Sequence, residues 1–406
     1  MSGVGSDGRI DSLTGLRMLA ALAVFGSHIS APPDVPPDVQ HLFTSGYNGV
    51  TLFFILSGFV LTWNYMDRLG DHMSARELWS FTVARFARVY PMYAVALLLA
   101  VAPLLLDGDS LPHIWSHVFA VQAWNTDIGV VQAYNGPAWS VGVEFFLYAC
   151  FPLLVVAARP LRRRPGAVVA VAAAVMATYW LLASWFQASG RASLEWGDPG
   201  SDYRWLYREP VTRLGDFVLG MCAALLVKSA PRSTPAWWGA TAQVVSIGAV
   251  IVLMASDYVL GTVWSWDFAY MIPAVVLILG LSLNRRTLLA RALSTKTMVL
   301  LGEASFAFYL LHHIMLNWFG GEAPATLGGW AGQNALHLFV IASTAVGAHY
   351  IVEQPARAGI RRLLDRRRTL AVIAAREGVV DGELNPAVTR PPGRHAAAPL
   401  APEAVG

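Results

Sequence analysis

"GLRMLAALAVFGSHIS", residues 15–30, is apolar enough to lie in a bilayer, yet it carries Arg17 and His28. An arginine costs about 2.5–3.5 kcal/mol at the centre of an inserted helix, so its presence there calls for a reason. At about 100° per residue, the eleven steps between the two make three turns plus about 20°. A continuous helix therefore sets both side chains on one face, roughly 16 Å apart along its axis.

The rest of the chain makes a bilayer the natural setting for such a segment. Of 406 residues, 55% are hydrophobic and only 14% charged. That is too little charge to cover the surface of a soluble protein of this size, whereas lipid accepts apolar side chains directly. The composition predicts an all-α, polytopic membrane protein. No cleavable signal peptide is expected, because the first apolar segment lacks an A-x-A-like site. Cys150 and Cys222 both lie in apolar segments, which argues against a disulfide framework or a thiolate metal site.

Windows long enough to span occur at 12–30, 48–66, 89–106, 138–158, 166–186, 210–227, 236–256, 267–283, 298–319 and 333–352, which predicts ten transmembrane helices. The stretch "HIWSHVFAVQAW", 113–124, is too short to cross and reads as a re-entrant or interfacial helix. Charge placement supports this count. With the N-terminus cytoplasmic, of the 29 Lys and Arg only Arg191, Arg204, Arg208 and Arg213 fall on outer loops, as the positive-inside rule requires. Both termini are then cytoplasmic. The chain divides into a membrane domain, 1–369, and a Pro/Ala-rich tail, 370–406, expected to be disordered. No internal repeat is evident, which weighs against a transporter.

Four places carry candidate chemistry. Arg17 can snorkel to headgroups or serve a polar path; His28 can cap its helix or act as a general base, since its unperturbed pKa lies near working pH. In "NGPAWSVGVEFFLYACFPLL", 135–154, Glu144 lies about two turns inside a helix opened by Pro137, and is either interfacial or paired with another helix. Trp139 and Ser140 sit at its outer boundary, in positions that also suit an aromatic belt residue and a cap. Arg85 and Arg88 of "RFARVYPMY", 85–93, share one helix face and suit either phosphate binding or simple anchoring. Glu303, His312, His313 and Glu353 are supporting positions. No Walker-type or G-x-G-x-x-G loop, metal-binding motif or nucleic-acid signature is present, so no metal and no permanently bound cofactor are expected.

Six stretches, in order, resemble the acyltransferase-3 family of integral-membrane O-acyltransferases: "DSLTGLRMLAALAVFGSHI", "GVTLFFILSGFVLTW", "RFARVYPMY", "PAWSVGVEFFLYACFPLL", "LGEASFAFYLLHH" and "IVEQP". The resemblance spans residues 11–355 and implies about ten core spans, a cytoplasmic acyl-CoA donor and a hydroxyl acceptor on a glycan or glycosylated small molecule. It also implies functional roles for Arg17, His28, Arg85, Arg88, Trp139, Ser140 and Glu144. Many members carry a C-terminal esterase-like domain, which this chain is not expected to have; members acting on macrolides are similarly compact.

The expected mechanism is direct transfer of a short acyl group. Arg17, Arg85 and Arg88 hold the acyl-CoA donor, His28 deprotonates the acceptor, Glu144 orients His28, and Trp139 and Ser140 contact the substrate. An acyl-histidine intermediate stays open. Expected partners are acyl-CoA, a carbohydrate or glycosylated acceptor and the lipid of the plasma membrane, with a homodimer as the assembly considered and no nucleic acid. The rival reading is a proton-coupled transporter or flippase of a lipid-linked glycan.

Overall fold

The computed structural model describes residues 9–362, except 33, 72, 232, 233, 257, 321–323, 325 and 361. Among these residues every regular element is a helix. Residues up to Ala358 form one compact unit. The expected tail, 370–406, its boundary at 369, and Arg232 lie outside the described residues.

Ten helices of sixteen residues or more follow in chain order among the described residues: α1 (Asp11–Gly26), α2 (Gly49–Leu69), α3 (Ala75–Leu106), α4 (Trp139–Ala157), α5 (Pro165–Ala188), α6 (Leu214–Ser229), α7 (Ala236–Ala255), α8 (Phe268–Leu283), α9 (Lys296–Phe319) and α10 (Leu327–Ala348). Each coincides with one of the apolar windows. By length and composition, however, seven described helical segments can cross a membrane, and these contain α2–α5, α7, α9 and α10. The other three, α1, α6 and α8, have 16 residues each, or about 24 Å, against a hydrocarbon core of about 30 Å. Their windows ran past the helix ends into turns: 27–30 beyond α1, 210–213 ahead of α6, and Asp267 ahead of α8. The segment 113–124 holds the five-residue helix Ile114–Val118 and one tight turn, Gln122–Trp124, well short of a span.

Local sequence explains several boundaries. Ser74 and Glu77 form a reciprocal capping box at the start of α3. Thr295 caps α9 through Met298 N–H. In lipid, helix association depends on close van der Waals contact rather than on burial from water, so small residues decide where backbones meet. The broadest contacts join α2 to α6, α7 to α8, and α1 to α9. At Gly58 and Gly220 a β-carbon would overlap the facing carbonyls of Phe217 and Ile55, and at Gly302 that of Thr14. These positions tolerate no side chain without separating the helices.

Gly220→Leu is therefore expected to lower the thermal unfolding midpoint in detergent by several degrees, corresponding to about 1–3 kcal/mol of overpacking. Gly166→Ala on α5, where a β-carbon meets nothing within 4 Å, serves as the neutral control.

Candidate functional site

Arg17 stands on the second turn of α1, enclosed by α2 and α9. Its Nε–H donates to Ser305 Oγ at 3.3 Å, and the guanidinium lies 5.8 Å from the centre of the Phe53 ring. The same side chain lines two cavities. One, of about 310 Å³, opens at the N-terminal end of α1 and is bordered by Arg9, Thr14, Trp63, Asn64, Arg88, Glu303 and Arg357. The other, of about 30 Å³, lies deeper and is walled by Phe53, Ser57, Ser140, Glu144, Phe306 and Tyr309. It is large enough for one or two waters.

The outer cavity is framed by an ion-pair network. Glu353 is 1% exposed, and its Oε2 accepts from Arg88 Nη1 and Arg357 Nη2 at 2.5 Å each and lies 3.2 Å from His349 Nδ1. Arg9 pairs with Glu303, and His349 Nε2 lies 3.8 Å from the second oxygen of that carboxylate. A carboxylate this deeply buried is tolerable only because charge-assisted donors from several elements converge on it.

Ser140 and Tyr309 tie the inner cavity to its far wall. Tyr309 O–H donates to Pro137 O at 2.9 Å, and Ser140 O–H can donate to the Tyr309 hydroxyl at 2.8 Å. Beyond them lies an imidazole cluster. His312 Nδ1 is 2.6 Å from Tyr309 O, and His28 Nδ1 is 2.9 Å from Val24 O. A carbonyl accepts only, so in the neutral rings both Nδ1 atoms carry the hydrogen and both Nε2 atoms carry the lone pair. His312 Nε2 lies 3.4 Å from His28 Nδ1, where it can share that hydrogen. The His313 ring centre is 5.1 Å from that of His28. His28 thus has its Nε2 as the basic nitrogen, set by Val24 and braced by His312.

The structure does not assemble the predicted residues as the sequence reading paired them. Helix α1 ends at Gly26, so His28 lies in the following turn and the shared-face argument for Arg17 and His28 does not apply; the Val24 carbonyl, not helical continuity, fixes the ring. Glu144 accepts a short hydrogen bond from Tyr148 and shares the inner cavity with Arg17, while the polar contacts at His28 come from Val24, Ser27 and His312. Arg85 and Arg88 also diverge. Arg88 reaches the outer cavity, whereas Arg85 is caged by Tyr65, Phe81 and Tyr148, with Nη2 donating to Tyr65 O–H at 3.3 Å. Trp139 is buried against Tyr207, with ring centres 5.2 Å apart, within an aromatic cluster that includes Tyr47, Tyr203 and Trp266.

One constellation was missed. Arg213, assigned from sequence to an outer loop, is fully buried, pairing through Nη1 with Asp216 at 2.8 Å and Asp267 at 2.5 Å. Thr51 donates to Asp267 at 2.6 Å, and the Arg213 guanidinium lies 4.7 Å from the Tyr207 ring centre. The signal present in sequence was the i, i+3 spacing of Arg213 and Asp216 at the start of an apolar window. The second carboxylate stands just ahead of α8 and leaves no local trace.

Comparison with known proteins follows the same stretch of chain. The profile of a family described as an acyltransferase domain matches residues 10–352. Acyltransferase MdmB of Streptomyces mycarofaciens is 32% identical over 389 residues, covering 89% of this chain and 94% of that protein. A Staphylococcus aureus (strain COL) protein provisionally named an O-acetyltransferase is 23% identical over 332 residues, 76% of this chain and 51% of its own. Peptidoglycan O-acetyltransferase OatA of Listeria monocytogenes is 22% identical over 330 residues, 75% and 49% respectively. The chain thus spans about half the length of these last two relatives. No solved structure matches it.

Replacing Arg213 with Met leaves two buried carboxylates without their cation, a change expected to cost about 3–5 kcal/mol and to reduce folded yield in detergent. Adding Asp216→Asn and Asp267→Asn to that variant is expected to recover part of the thermal midpoint, measured by unfolding scans of all three proteins.

Proposed function

The chain belongs to the acyltransferase-domain family, and on that premise we propose that it transfers a short acyl group from acyl-CoA to a hydroxyl of a glycan or glycosylated small molecule, at the plasma membrane. The topology proposed with it has ten membrane-embedded helices and both termini in the cytoplasm. The arginine-lined cavity at the start of α1 then faces the cytoplasmic donor. The name of the peptidoglycan O-acetyltransferase points to a glycan hydroxyl as one acceptor class. The similarity to MdmB along nearly its whole length keeps glycosylated natural products such as macrolides as another.

One observation carries this reading: Arg17 forms a wall of both cavities, so an arginine-rich basin, a single guanidinium and a hydroxyl-lined chamber lie in series, and Tyr309 of the chamber wall is joined through His312 to His28. The positive charge of the basin suits the entry of an anionic acyl-CoA donor. The chamber of about 30 Å³ is too narrow to pass a thioester. Donor entry therefore requires the chamber to widen around Ser140 and Tyr309 before the acyl carbon comes within reach of His28.

The chemistry follows from the atoms present. The acceptor oxygen attacks the thioester carbonyl while His28 Nε2 takes its proton, the Nδ1–H staying on Val24 O. Donors on the chamber wall, the Arg17 guanidinium and the hydroxyls of Ser140 and Tyr309, stabilise the oxyanion. The C–S bond breaks, and the proton held by His28 passes to the departing thiolate. His312 keeps the His28 ring oriented, the role the sequence reading gave to Glu144. Glu144 balances the charge of Arg17.

Purified protein with radiolabelled acetyl-CoA and a panel of glycosylated acceptors, from peptidoglycan fragments to macrolide glycosides, is expected to release CoA thiol only when a suitable acceptor is present. His28→Ala, at matched folded yield, is expected to lower that rate by about 10²–10⁴-fold. Retained activity in the variant removes His28 as base. Transport of a lipid-linked glycan without CoA release by the wild type overturns the transferase reading.

A further inference from the structure

The two arginines predicted to hold phosphate are not those that the fold leaves free to do so. Arg85 is enclosed by three aromatic rings, and Arg88 is bound to Glu353. At the same end of the bundle, the turn 159–164 between α4 and α5 and the last turn of α6 enclose a bay of about 970 Å³. Its charged groups are Arg159, Arg162, Arg163, Arg164 and Lys228 against only Asp67 and Asp71. Arg162 bridges the two carboxylates at 2.6 and 2.7 Å, Lys228 lies 2.8 Å from Asp67, and Arg159 lies 3.6 Å from Asp71. Among the described residues, Arg163 and Arg164 have no ionic partner, and both are exposed. Five cations facing two carboxylates leave a surplus of positive charge among the described residues that line the bay.

The bay adjoins the donor basin along α2. On α2, Val60, Trp63 and Asn64 line the basin, while Asp67, one turn further on, and Asp71, in the turn that follows the helix, line the bay. Steps of three and four residues keep the four helical positions on one face. Lys228 Nζ lies 5.6 Å from the centre of the Trp63 ring, so the rim of one cavity touches the rim of the other.

We propose that this bay seats the nucleotide end of the acyl donor, with Arg163 and Arg164 holding its phosphates and the face of α2 at Trp63 guiding the pantetheine arm into the basin. The assignment rests on the acyl-CoA reading given above. Guanidinium groups pair with phosphate oxygens in bidentate fashion, and exposed, unpaired ones do so without first giving up an internal partner. Anionic phospholipid headgroups offer the same phosphate chemistry at this depth, so the test separates the two sources.

Full-length wild type and Arg163→Glu/Arg164→Glu are compared in nanodiscs of zwitterionic lipid and of mixed anionic lipid, with Arg291→Glu as an exposed control. Three donors are used: acetyl-CoA, its 3′-dephospho form, and S-acetyl-N-acetylcysteamine, which has no phosphate. The double variant is expected to raise KM for acetyl-CoA about tenfold in both lipids, the scale of one or two lost charge-assisted hydrogen bonds. It should raise KM less for the dephospho donor and leave the phosphate-free donor at its wild-type KM and kcat. Arg163→Gln/Arg164→Gln provides the same comparison should the charge reversal not fold. An unchanged KM for acetyl-CoA overturns the proposal, as does an equal rise for all three donors. An effect confined to anionic nanodiscs assigns the bay to lipid headgroups and also overturns it. Failure of the wild type to use any thioester sinks the acyl-CoA reading itself, an outcome distinct from these.

Discussion

A guanidinium enclosed by apolar helices has no water to solvate it, and the placement of Arg17 under that constraint organises the rest of the molecule. Its hydrogen bond comes from Ser305 on α9, its cation–π contact from Phe53 on α2, and its nearby carboxylate from Glu144 on α4. Three helices must therefore approach α1 closely, which Gly302 on α9, against the Thr14 carbonyl, and Gly49 on α2, against that of Ala20, make sterically feasible. Burying a charge in this way is costly, and its useful product is a fixed positive group between two chambers.

The same constraint recurs twice at greater depth of burial. Glu353 collects Arg88, Arg357 and His349, and Arg213 joins Asp216 to Asp267. The first ties the helical turns that follow α10 to α3; the second ties the start of α6 to the start of α8. Both act as fasteners between elements far apart in sequence. The aromatic rings above Arg213 and around Arg85 show the other means of stabilising a cation in low dielectric, through the faces of π-systems.

Much of the helical layout was legible because hydropathy windows and helices respond to the same requirement, that lipid-exposed backbone be internally bonded. Every window contains a helix. What failed was the inference from window length to helix length: Ser27, His28 and Ile29 continue an apolar run but not the α1 helix, and Arg213 ends a loop while beginning a buried ion pair. Of the candidate site, Arg17, Ser140 and Glu144 line one inner cavity while His28 stands apart from it beside His312, and this pairing could not be read. Partnerships such as His28 with His312, 284 positions apart, are products of packing, and single-segment periodicity has no access to them. The adjacent histidines were visible; that one of them turns its Nε2 toward His28 depends on the Tyr309 carbonyl three residues earlier.

The brevity of α1, α6 and α8 has a further consequence. These are among the most buried helices, about 24 Å long inside a bundle whose outer members reach 30 Å or more. A short helix facing lipid would force the bilayer to thin around it, whereas a short helix wrapped by longer ones leaves recesses at its two ends. The cavity of about 310 Å³ at the N-terminal end of α1 is one such recess, set against a helix shorter than its neighbours. A path along α1, about 24 Å of helix, is shorter by several ångströms than one along α3 or α5, so the apolar layer is thinnest where the buried charge of Arg17 stands.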